Sequence, residues 1–233
     1  MKKHTILFLA ANPSGTDWLA LYQEARAIQK ELDSAGCRDR FELETRWAAE
    51  PLDLLRELRK LRPTVVHFSG HGGRGVAGEE PSELAPSEQS PRRDVVVAPG
   101  ESGGELEHGL FFQGPDGQPR LVSTAALEEA FGAAGASVKL VVLSACYSES
   151  QAEALLTHVD CVVGMGGPIR DDAARSFAIG FYGGLGERES VATAHKQGRA
   201  AIALEGLRDG ELPQLKVRAG VDANRLVLAA DPQ

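Results

Sequence analysis

Cysteine is scarce in this chain: 233 residues contain only Cys37, Cys146 and Cys161, with no paired spacing and no CxxC. An odd, sparse set excludes a disulfide framework and points to a reducing, cytoplasmic compartment. Positive charge is also in deficit, with a formal net charge of −8. A nucleic-acid-binding surface normally carries a basic patch, so no nucleic-acid partner is expected. Long apolar runs are missing. The stretch Ile6-Leu7-Phe8-Leu9-Ala10 is too short for a signal sequence or a membrane span, and it reads as a first strand with no membrane partner. Phosphate-binding loops are missing as well, since Asn12-Pro13-Ser14-Gly15 fits neither GxGxxG nor GxxxxGK[ST]. His4, His108, His158 and His195 show no metal-ligand spacing, so neither a metal nor another cofactor is expected. There are no internal repeats.

What remains is an ordinary globular composition, 42% hydrophobic and 25% charged, which argues against wholesale disorder. The length suits one large domain over 1–233. Strand and helix patterns alternate along it. Residues 5–10 read as a strand, and apolar positions at helical spacing predict a helix from about Thr16 to Ser34. Phe41–Trp47 alternates with period two, and a helix starts at Pro51 and stops before Pro63. The βαβαβ order predicts an α/β fold with a mostly parallel central sheet flanked by helices and joined by right-handed crossovers.

Two segments end apolar runs with a reactive side chain: Thr64-Val65-Val66-His67-Phe68-Ser69-Gly70-His71-Gly72-Gly73 and Leu140-Val141-Val142-Leu143-Ser144-Ala145-Cys146-Tyr147-Ser148. Such runs suit strands buried on both faces, and ligands of parallel sheets bind beyond the strands' carboxyl ends. Adjacent strands would bring His71 and Cys146 together. A thiol beside an imidazole is a nucleophile with its base. Gly72, lacking a Cβ, lets its N–H approach a substrate closely; that N–H and the N–H of Cys146 form a candidate oxyanion hole. His67 shares a face with Ser69, as a packed core residue or a support of the dyad.

From Gly72 to His108 the periodicity fails, apart from Val95-Val96-Val97. Residues 74–108 therefore read as a flexible insert, either a surface insertion or a regulatory flap over the site. A hairpin is expected over 109–122, a short helix at Gln151–Leu156 and a strand at Cys161–Met165. Helices at 171–186 and 191–204 and short strands at 215–218 and 225–228 complete the reading. Asp171 and Asp172 either cap a helix or, with Ser69, Ser148 and Glu149, line a pocket beside Cys146, where a carboxylate favours a basic group such as Arg or Lys.

The motifs His-Phe-Ser-Gly-His71-Gly and Leu-Ser-Ala-Cys146-Tyr-Ser resemble those of the CHAT family, a branch of the caspase-like cysteine peptidases that includes separase and gingipain. The likeness continues through Gly109-Leu110, Val162-Val163-Gly164-Met165, Asp172 and Phe177–Tyr182. It implies a caspase-haemoglobinase fold, His71 and Cys146 as catalytic dyad, and hydrolysis of a peptide bond in a protein substrate. It further implies a bacterial stress or defence effector answering to an upstream sensor or activator. Two alternatives stand beside it: a catalytically silent caspase-like module that binds partners, and a doubly wound nucleotide-binding domain, which the missing glycine fingerprint disfavours.

Overall fold

The computed structural model describes residues 3–75, 94–96 and 107–229. Its centre is a six-stranded sheet formed by β1 (His4–Ala10), β2 (Phe41–Trp47), β3 (Val65–Ser69), β8 (Leu140–Ser144), β9 (Cys161–Met165) and β10 (Pro213–Val217), in the order β10-β9-β8-β3-β1-β2. All neighbours are parallel except β10, which runs antiparallel along the edge of β9. This is the expected mostly parallel α/β sheet. Successive side chains of a strand point to opposite faces, and the core divides accordingly. Ile6, Phe8, Val65, Leu140, Val142 and Val163 pack with the helices α1 (Leu21–Ser34), α5 (Asp171–Gly186) and α6 (Val191–Leu204). Leu7, Leu9, Val66, Phe68, Val141 and Leu143 face the layer of α2 (Pro51–Leu61), α3 (Thr124–Ala133) and α4 (Glu149–Leu155).

A second sheet stands at the carboxyl edge of the first, with order β5-β4-β6-β7. It comprises β4 (His71–Gly75), β5 (Asp94–Val96), β6 (Glu107–Gln113) and β7 (Pro119–Ser123). The expected hairpin is β6–β7. Most of the stretch read as an insert or flap lies outside the described residues; within it Asp94–Val96 is a strand, and its two ends belong to β4 and β6.

Four local expectations are corrected. Helix α1 starts at Leu21, not Thr16, because Asn12 holds the backbone of Leu19 from both sides: its amide donates to the carbonyl (3.1 Å) and its side-chain oxygen accepts from the N–H (3.4 Å). His71 is not the end of the central strand but the first residue of β4, since β3 stops at Ser69 and Gly70 turns the chain out of the sheet. The strand near the C-terminus begins at Pro213. Residues 225–228 form no strand: the N–H groups of Arg225 and Leu226 both bond to the Asp222 carbonyl, closing a turn.

Candidate active site

The strands β3 and β8 are paired in register with Ser69 opposite Ser144, and the Gly70 N–H donates to the Ser144 carbonyl (3.3 Å). His71 and Cys146 each lie two positions beyond that pair, so the two chains leave the sheet side by side. The approach is tight. A Cβ on Gly72 would sit 2.2 Å from the Cys146 carbonyl oxygen and 3.2 Å from the Ala145 Cβ. Only glycine permits this contact, and it places the backbone after His71 directly against the backbone of Cys146.

Both side chains are buried, His71 at 0% and Cys146 at 1% exposure. His71 Nε2 lies 2.9 Å from the Asp17 carbonyl oxygen. A carbonyl only accepts, so Nε2 carries a proton, and in the neutral ring the lone pair is on Nδ1. The ring is thereby oriented by backbone from the β1–α1 loop, the loop that Asn12 clamps. Cys146 Sγ donates to the Ile169 carbonyl at 3.6 Å. The residue after it, Tyr147, has φ of 54°, a left-handed conformation unusual outside glycine and often found at functional turns. That turn lifts the chain off the end of β8 at the thiol. Burial at the start of β9 pushes the Cys161 thiol up to about 12, out of range for a nucleophile at neutral pH.

A buried polar cluster supports these strand ends. Glu24 of α1, 1% exposed, accepts from Ser69 Oγ (2.5 Å) and Ser144 Oγ (3.1 Å). His67 stacks on Phe8 with ring centroids 4.9 Å apart. Its Nε2 lies 3.2 Å from Glu24 and its Nδ1 2.9 Å from the Tyr182 hydroxyl. Burial raises the Tyr182 pKa well above its ordinary value, so this hydroxyl stays protonated beside Nδ1, while Nε2–H donates to the carboxylate. One carboxylate thus braces β3 to β8 at the strand ends that precede His71 and Cys146. Glu24 carries no motif, and its helix period gives only a buried position, so sequence reading could not single it out.

The remaining candidates are dispersed. Ser69 is buried against Glu24. Ser148 Oγ donates to the Leu143 carbonyl and accepts from the Met165 N–H, each at 2.9 Å, tying the ends of β8 and β9. Glu149 pairs with Lys216 of β10 (2.5 Å). Asp172 pairs with Arg170 (2.5 Å) and accepts from the Ala173 N–H in the first turn of α5. Asp171 accepts from the Ala20 N–H (3.2 Å), which joins α5 to the loop that carries Asp17. Among the described residues no group of three or more His, Cys, Asp or Glu is arranged to hold a metal ion. No helix there is long and apolar enough to cross a membrane.

Residues 11–209 match the CHAT domain family, and the chain belongs to that family. The fold is similar to a secreted C11 cysteine protease from Bacteroides thetaiotaomicron, solved with an irreversible peptide inhibitor. That match has a TM-score of 0.50 and 13% identity over 91% of this chain and 63% of the other. A second structure, a secreted C11 cysteine protease from the same organism named iotapain, matches with a TM-score of 0.44 and 12% identity, covering 79% and 58%. The chain thus spans about six-tenths of the length of these proteins. No curated protein matches the sequence.

Proposed function

We propose that the protein is a cysteine endopeptidase with His71 and Cys146 as its dyad. The observation that carries this is the contact of Gly72 with the Cys146 carbonyl, which supports one site built from the histidine turn and the cysteine turn. In this reading Cys146 gives its proton to His71 Nδ1 and its sulfur attacks the scissile carbonyl. The N–H groups of Gly72 and Cys146 receive the developing oxyanion, each worth ~3 kcal/mol in comparable sites. Collapse breaks the C–N bond as His71 returns the proton to the departing amine. Water, deprotonated by the same imidazole, then attacks the thioester and releases the acid and the thiol.

Of the four-member acidic and hydroxyl set and Ser69, Asp171 is the one bonded to the Asp17 loop, and it follows the Cys146 contact Ile169 by two positions. A carboxylate there favours Arg or Lys before the cleaved bond. The stress or defence role and an upstream activator rest on the family resemblance. The test is active-site labelling: an acyloxymethyl ketone peptide ending in Arg should modify wild-type protein at Cys146 and leave the His71→Ala variant unmodified. An unlabelled Cys146 in folded protein would instead favour the silent, partner-binding module.

A further inference from the structure

Both tryptophans of the chain stand in one place. Trp18 is 74% and Trp47 51% exposed, with Tyr22 beside them at 57%. Together they wall a cavity of about 370 Å³ that Ala10, Asn12 and Gln113 also line. This volume is at the low end of ligand-binding cavities, ~300–1,000 Å³, and suits one large side chain. Aromatic walls of this kind offer ring faces and edges to an apolar or aromatic group.

The cavity's place in the fold says which group. Ala10 and Trp47 are register partners and the last residues of β1 and β2, so the cavity opens on the same edge of the sheet as the dyad. The strand order runs β8-β3-β1-β2: Cys146 follows β8, His71 follows β3, and the cavity follows β1 and β2. His71 therefore lies between the nucleophile and the cavity. The wall is continuous with the dyad, because the carbonyl of Asp17 takes the His71 Nε2–H at 2.9 Å and the next residue is Trp18. In the cleavage chemistry the acyl half of the substrate stays on Cys146, whereas the amine half must lie where His71 can protonate it. The amine half thus extends away from Cys146, past His71, toward β1 and β2. Two strand spacings are ~10 Å, about three residues of extended chain.

We propose that this cavity is a specificity subsite for the leaving half of the substrate, taking an aromatic or leucine-type side chain two or three residues after the cleaved bond. The inference rests on the peptidase reading of His71 and Cys146.

The test uses internally quenched peptides with one cleavable bond, varied among Phe, Leu, Ala and Glu at the second and third positions after it. Wild-type kcat/KM should favour Phe or Leu over Ala by about tenfold or more, the worth of burying one large apolar side chain. Trp47→Ala should reduce that ratio to near one, and Trp47→Phe should keep most of it; the exposed position makes both variants compatible with folding. Because both tryptophans line the cavity, Cys146→Ala protein titrated with the Phe peptide should show a saturable change in tryptophan emission that the Ala peptide lacks. A Phe-to-Ala ratio unaltered by Trp47→Ala overturns the subsite. Failure of Cys146 to label would end the peptidase reading separately; the emission titration still reads the cavity, and an emission indifferent to Phe overturns the proposal on its own.

Discussion

Ser69 and Ser144 face each other across the parallel pairing of β3 and β8, and both hydroxyls donate to the one carboxylate of Glu24. The two strands that deliver the histidine and the cysteine are thus fastened to each other at their last residues by a third element, helix α1. A buried carboxylate with several donors is stable only while all remain paired. Glu24→Ala leaves His67, Ser69 and Ser144 without their common acceptor and should cost about 3–5 kcal/mol. Glu24→Gln, which keeps an acceptor oxygen, should cost less. Urea unfolding midpoints of the two variants check this, and equal midpoints would show that the network contributes little.

Tyr182→Phe removes the hydroxyl that bonds to His67 Nδ1. The ring still packs, so the loss should be about 1 kcal/mol. Thermal unfolding of the purified variant measures it, and a gain in stability would show that this bond does not stabilise the fold.

Gly72→Ala places a methyl group 2.2 Å from the Cys146 carbonyl oxygen. The turn must move to accept it. The expected result is about 1–3 kcal/mol of destabilisation together with a fall in Cys146 labelling rate. A variant that labels at the wild-type rate would disprove the close approach of the two turns.

Cys146→Ala and His71→Ala should each lower kcat/KM on a cleavable peptide by at least ~10³-fold, because members of a catalytic unit do not contribute additively. The double variant should be no worse than either single one. Circular dichroism checks that the fold persists, and substantial activity in either folded variant excludes the dyad.

Asp171→Asn should abolish any preference for Arg over Leu before the cleaved bond, measured as a ratio of kcat/KM. A preference for Leu or Asp in the wild type would end the acidic-pocket reading.

His195 introduces a pH dependence remote from the site. Its ring is buried, with Nε2–H donating to the Pro213 carbonyl at 3.0 Å, and burial lowers its pKa below the ordinary value. The unfolded chain therefore binds this proton more readily than the folded one. Stability is retained above the unfolded value of ~6.5 and declines as pH falls below it. Unfolding midpoints at pH 7.5 and 5.5 should differ less in His195→Gln than in the wild type.

The alternation of apolar runs with helical periods determined the parallel sheet, because strands buried on both faces and amphipathic covering helices leave that mark in local sequence. The flanking glycine and serine pattern singled out His71 and Cys146 as candidates. Three features came only from the tertiary structure. Glu24 looks like any helical glutamate until α1 packs against β3 and β8. The Asp17 carbonyl has no side-chain signature at all, since any residue supplies one, and its role depends on where Asn12 pins the loop. Trp18 and Trp47 are 29 positions apart and share a cavity because β1 and β2 pair in register and the loop after β1 folds back over their ends. Local sequence records periodicity and turn chemistry, whereas contacts between distant segments depend on which faces the folded chain brings together.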